Sequence, residues 1–136
     1  MKVPPGHYLA VIYNYDTEVV QVKGEDSYET IMACTGNCTG LGDSETENMV
    51  WGPDNFYVAT LDDVEIGKGE ELPTLEVRPK SVVTTYIFSI KTEGLKNVSS
   101  IIGSVSGMAE CYHLGKGAAY AASLPFIVKP VKGMGL

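Results

Sequence analysis

Apolar and polar positions alternate most densely between Leu75 and Val128. From Val82 to Lys91, Val82, Thr84, Tyr86, Phe88 and Ile90 share one parity, and Val83, Thr85, Ile87 and Ser89 share the other. Successive side chains on a strand point to opposite faces, so this run gives one strongly apolar face and one mixed face. β-branched and aromatic residues fill nearly every position, which disfavours helix and suits a pleated surface. Pro79 cannot donate to a central ladder, so Leu75 to Arg78 reads as a separate edge strand or lead-in. Glu93-Gly94 ends the run as a turn. Alternation resumes from Val98 to Met108, where Gly103, Ser104, Ser106 and Gly107 predict a bulge or a close backbone approach. Cys111 to Leu114 then leads through Gly115-Lys116-Gly117 into Ala118 to Ala122, which predicts a hairpin. This stretch reads as the β-sheet core of the chain.

The remaining pattern is also strand-like. His7 to Tyr15 (HYLAVIYNY) is almost continuously apolar, which predicts a central strand buried on both faces. Glu18 to Val22 reads as a short return strand. Ser27 to Ala33 fits either a strand or one to two helical turns. Cys34 to Asn48 is polar and reads as a long surface loop. Trp51, next to Gly52-Pro53, reads as a packing anchor at a loop edge. Phe56 to Leu61 is a strand. Asp62 to Pro73 is an acidic, glycine-bearing loop with a short strand at Val64 to Ile66. Leu124 to Val131 is a strand interrupted by Pro125 and Pro130, hence placed near an edge, and Gly133 to Leu136 a frayed end. About seven to nine short strands without a long helix predict an all-β fold, either a two-sheet β-sandwich or an open barrel.

A chain of 136 residues fits a single domain spanning residues 1–136 and is long enough to bury a core. The net charge of −7, with ten scattered Lys and Arg, argues against a nucleic-acid surface, because neutralising phosphates needs clustered cations. No apolar run approaches the roughly 18 to 20 residues that span a bilayer. Met1-Lys2-Val3 gives way at once to the turn residues Pro4-Pro5-Gly6, so no signal peptide is visible. A start between two strands suggests part of a longer polypeptide.

Chemistry-bearing residues are few. Cys34, Cys38 and Cys111 are the three cysteines, an odd number that leaves at least one thiol unpaired in a monomer. With His113 they could form a Cys3His zinc site, or Cys111 and His113, two apart on one strand face, a thiol–imidazole pair. Both patterns are weak. The structural alternative is two loop thiols and one core cysteine, with no metal or cofactor. His7 opens a strand and reads as turn decoration. The carboxylates at Asp43, Glu45 and Glu47, at Asp62, Asp63 and Glu65, and at Glu70 and Glu71 lie in predicted loops, where solvation is the default. Gly-x-Gly at 40–42, 67–69 and 115–117 reads as turn glycine, not as a phosphate cradle.

Several segments resemble a family of Bacteroidetes surface lipoproteins related to fimbrillins and to the minor subunits that anchor fimbriae. They are Pro4-Pro5-Gly6-His7-Tyr8, Ile12-Tyr13-Asn14-Tyr15-Asp16-Thr17-Glu18, Leu75-Glu76-Val77-Arg78-Pro79 and Ser104-Val105-Ser106-Gly107-Met108-Ala109, which occur in the family's order over about residues 4 to 128. The resemblance implies a transthyretin-like or fimbrillin-type Greek-key β-sandwich of about seven strands. It also implies export, a lipid anchor outside this chain, an outer-membrane or cell-surface location, and a non-enzymatic role in fimbriae or adhesion. Expected partners are other fimbrial or surface subunits, in one version through strand donation to an open sheet edge, and a host or glycan ligand for the loop bearing Trp51. No membrane contact is expected from this domain itself.

Overall fold

The computed structural model describes residues 3–38, 49–69, 74–99, 103–121 and 126–128. Its regular structure is nearly all strand, and the architecture is an all-β sandwich. In one layer, β1 (Gly6–Tyr13) runs antiparallel to β6 (Tyr57–Ile66), which pairs on its other side with β7 (Lys80–Ser81). The second layer is antiparallel throughout. It has β2 (Gln21–Lys23) beside β3 (Met32–Cys34), then β9 (Ala109–His113), then β10 (Ala118–Ala121). A third, short sheet joins β4 (Asn37–Cys38), β5 (Met49–Trp51), β11 (Phe126–Val128) and β8 (Gly103–Val105). There β11 runs parallel to β5 and antiparallel to β8.

The core lies between the two antiparallel sheets. Val58 from β6 meets Ala33 from β3, and Val20, Ile31, Phe56 and Leu114 from the adjoining turns complete the cluster. Val11 and Tyr13 of β1, Val22 of β2 and Tyr112 of β9 pack around it. The Tyr13 and Phe56 rings lie 6.0 Å apart, tilted by 37°, within the range where aromatic pairs attract beyond simple area burial. Residues on turns reach the core because each immediately precedes or follows a strand whose inward face continues into it.

The segments that carry the family resemblance serve local structure. Asn14 follows β1 directly. Its side-chain oxygen accepts from the Tyr57 amide at 2.8 Å, and its nitrogen donates to the Asn55 carbonyl and to Asp16. Asn14 therefore ties the end of β1 to the start of β6. Thr17 Oγ1 donates to the Val20 carbonyl, and Tyr8 Oη donates to the Pro4 carbonyl. Asp54 accepts from the amides of Val19 and Val20, holding the approach to β2 against the β5–β6 connection.

The expected hairpin is present: β9 and β10 pair around Leu114–Gly117, with Ala118 opposite His113. The Gly117 amide donates to the His113 carbonyl, and Gly117 itself adopts φ +63°, where glycine is favoured. Four expectations change. β1 pairs only with β6 and is an edge of its sheet among the described residues, and Leu9, at the bulge of that pairing, is exposed, so the strand is not buried on both faces. The segment 56–66 forms one long strand, so Asp62, Asp63 and Glu65 sit on β6 and not in a loop. At its bulge Leu9 faces both Asp62 and Asp63, and the extra residue keeps the two carboxylates in solvent. Glu18 to Val22 returns later than expected, as β2, and pairs with β3 instead of β1. Between its two prolines, β11 is an interior strand of the third sheet, not an edge strand, since three residues fit without either proline entering the ladder. Asp43, Glu45, Glu47, Glu70 and Glu71, the 40–42 glycines and the chain end at 129–136 lie outside the described residues.

The largest departure concerns Leu75 to Lys91. Leu75 to Arg78 forms no strand, and β7 begins only after Pro79. The Val82 amide still donates to the Phe56 carbonyl. Beyond it, 83–90 runs without a ladder partner among the described residues. Its neighbour β6 begins at Tyr57, so the chain overhangs the end of the sheet.

Candidate functional site

The Cys34, Cys38, Cys111 and His113 set is not gathered as a ligand sphere. Cys34 and Cys111 form a disulfide with a Cα–Cα distance of 4.1 Å. They face each other directly across β3 and β9. The neighbouring Thr35 amide donates to the Glu110 carbonyl, which places the cysteines at a non-hydrogen-bonded pair, where opposed side chains come closest. Neither sulfur is a thiolate, so neither can be a nucleophile or a metal ligand. Cys34 is therefore a strand residue and not the loop thiol expected, and Cys38 enters the ladder of β4 with β5. Among the described residues no group of three or more His, Cys, Asp or Glu could hold a metal ion.

His113 is 3% exposed and has both ring nitrogens engaged. The Lys116 amide donates to Nδ1 at 3.0 Å, so the proton resides on Nε2, which donates to the Glu29 carbonyl at 2.8 Å. Two further contacts join the same hairpin to the turn before β3. The Tyr28 hydroxyl donates to the Gly115 carbonyl at 2.6 Å, and the Leu114 amide donates to the Ile31 carbonyl. A Cβ at Gly115 would strike the Tyr28 carbonyl oxygen, so only glycine fits this approach. The histidine is a clamp between two turns.

Two side chains, His7 and Tyr13, are held by carboxylates. His7 Nδ1 lies 2.9 Å from Asp63 Oδ1 across β1 and β6. The hydrogen bond to Asp63, that carboxylate's charge and the charge of Glu65 hold the His7 imidazole above its ordinary 6.5. His7 is thus a cross-strand ion-pair residue and not turn decoration. The Tyr13 hydroxyl donates to Glu25, and this bond, with partial burial, pushes its pKa up to about 12. Trp51 is half-buried at the end of β5, and its amide donates to the Gly36 carbonyl, as suits a packing anchor.

The candidate site is a groove of about 520 Å3 between the overhanging 82–88 segment and the β3–β9–β10 sheet. Its floor includes the core residues Val20 and Phe56, with Tyr112 and the disulfide on one wall and Tyr86 and Phe88 on the other. The lining is mostly apolar, the composition that accepts ligand or partner side chains. Thr35 also lines it, 9% exposed, and its Oγ1 is buried without a hydrogen-bond partner. Among the described residues, the backbone of 84–91 makes no hydrogen bond. Tyr86, Ile87, Phe88 and Ile90 are 60%, 82%, 53% and 77% exposed. The alternation of 82–90 predicted a strand, but among the described residues no ladder forms there, which the pattern alone could not show. The disulfide pairing and the role of Asp54 were also not legible, since each depends on a fold-dependent juxtaposition.

The same fold occurs in a solved structure described as a "putative adhesin" from Bacteroides ovatus. Its sequence is 47% identical, the TM-score is 0.82, and the match covers 98% of this chain and 47% of that one. A curated relative from the same species, "Putative fimbrium anchoring subunit Fim4B", is 47% identical over 133 residues, 98% of this chain and 40% of its own length. The family model described as "Domain of unknown function (DUF5119)" matches residues 1–128. The chain belongs to the DUF5119 family. The resemblance to fimbrial anchor subunits read from the motif segments is thus shown. The chain spans less than half the length of these two relatives.

Proposed function

We propose that this DUF5119 chain is a non-enzymatic β-sandwich module of a surface fimbrium, acting as a subunit or at the anchor. Residues 1–136 form a single domain of a longer exported lipoprotein in this reading. The 47% identity across 98% of the chain to a relative named as a fimbrium anchoring subunit carries it. Two features support it. A disulfide joining two core strands fits a protein that folds in an oxidising compartment outside the cytosol. Three of the side chains singled out in the sequence are used in structural contacts: His113 clamps two turns, and Cys34 and Cys111 are bonded to each other.

Its location is the cell surface, held at the outer membrane by a lipid anchor on the longer polypeptide. Its partners are other fimbrial or surface subunits, and the outer edge of β1, unpaired among the described residues, favours a contact made by an added strand. A host or glycan ligand at the Trp51 edge is a secondary reading, dismissed if Trp51→Ala leaves a glycan-array profile unchanged. The main test is a deletion of the gene combined with immunogold labelling of intact cells. Label on the surface, and fimbriae shed into the medium by the deletion strain, are expected. Protein retained in the cytosol, with fimbriae unaffected by its loss, would refute the reading.

A further inference from the structure

We infer that the groove beside 84–90 is the seat of an apolar β-strand supplied by the same polypeptide, from a part of the longer protein that these 136 residues do not include. The chemistry of the site specifies a strand. The wall at 84–91 offers backbone donors and acceptors without partners among the described residues, which an incoming backbone satisfies and an apolar small molecule does not. Thr84, Tyr86 and Phe88 line the groove together with Val83 and Thr85, so the occupant needs apolar side chains to meet them. A volume of about 520 Å3 takes a few such side chains. Buried Thr35 Oγ1 supplies one polar contact.

The source follows from where the groove leads. Val20 and Phe56 belong to the central core cluster and also line the groove, so its occupant lies directly against the core. A core strand is needed as the domain folds, and a strand on the same chain arrives at far higher effective concentration than one from a separate subunit. Left bare, Tyr86, Ile87, Phe88 and Ile90 form a contiguous apolar overhang of the type that promotes edge-to-edge aggregation. The two relatives are more than twice as long as the region matched here, so each has ample chain outside it. This inference stands apart from the fimbrial reading, because an intrachain strand is needed whether or not the protein joins a fimbrium.

Hydrogen exchange with mass spectrometry tests it on two proteins: the 136-residue chain, and the full-length Bacteroides ovatus relative purified as a monomer. Amides of 84–90 should exchange in the 136-residue chain at the rate of open backbone. The equivalent amides of the monomeric relative should exchange more slowly by on the order of a hundredfold or more. In the crystal structure of the Bacteroides ovatus putative adhesin the equivalent segment should be laddered to a strand of its own chain from outside the matched region. Two results would overturn the inference. One is rapid exchange in the monomeric relative that slows only on assembly, which assigns the strand to another subunit. The other is protection of 84–90 in the 136-residue chain itself, which shows that no strand is missing.

Discussion

Removing the Cys34–Cys111 bridge is the most quantitative perturbation available. The cysteines are 77 residues apart in sequence. Cross-linking a loop of that length restricts the unfolded chain by about 4.5 kcal/mol at 25 °C in the chain-entropy treatment, and observed losses on removing native disulfides run from about 2 to 5 kcal/mol. The native side adds little to this, because the β3–β9 ladder and the clamp at His113 hold the strands together without the bridge. A loss of about 3 to 4.5 kcal/mol is expected for a Cys34→Ala, Cys111→Ala double variant. Against a total of about 5 to 15 kcal/mol for a domain of this size, that is a large fraction. Equilibrium urea unfolding of the oxidised protein and the double variant measures it, with Cys38→Ser in both backgrounds to prevent thiol exchange. Non-reducing peptide maps must show the 34–111 link. A difference below about 1 kcal/mol, or a link from Cys38 to either partner, would refute the reasoning.

Further outcomes follow from other contacts. Phe56→Ala, removing a ring that is 2% exposed, should cost about 3 to 5 kcal/mol of unfolding free energy, less if the neighbouring groove lets the core collapse. His113→Ala should cost about 1 to 3 kcal/mol by the same assay, because it strands the Glu29 carbonyl and the Lys116 amide. Tyr13 is protonated in both states below its unfolded value of 10 and has a folded value of about 12, so its contribution to stability should fade as pH rises between these values. Tyr13→Phe should abolish that part of the pH dependence. The raised His7 value means its ion pair helps fully below pH 6.5 and is lost as pH climbs through the folded value. NMR titration should show His7 returning toward the ordinary value in Asp63→Asn.

Much of the fold is legible from local pattern. The β9–β10 hairpin can be read from Gly115-Lys116-Gly117 between apolar pairs, and β6 from its β-rich run, because both depend on nearby residues. What depends on distant chain is not legible. The nine-residue apolar run at His7 suggested two neighbours, yet among the described residues β1 has one, since pairing depends on which strands reach it. The strand-like run at 82–90 forms no ladder among the described residues. The three cysteines allowed several states, and register alone selected Cys34 with Cys111. At the candidate site, the apolar face of Tyr86 and Phe88 was visible in sequence. The groove opposite was not, because its lining comes from residues as far apart in sequence as 20, 56 and 112.

β3 completes its sheet only by pairing with β9, which follows it by some 77 residues, and Tyr28 and Glu29 are fastened to a turn even further along. Contacts so distant in sequence slow folding. During synthesis or export, the first third of the chain must therefore wait, its apolar edge unguarded, until residues past Gly115 have emerged. A truncation anywhere upstream of that point leaves β3 without its inner neighbour, and such fragments should be the chaperone-dependent, protease-sensitive species in any expression series.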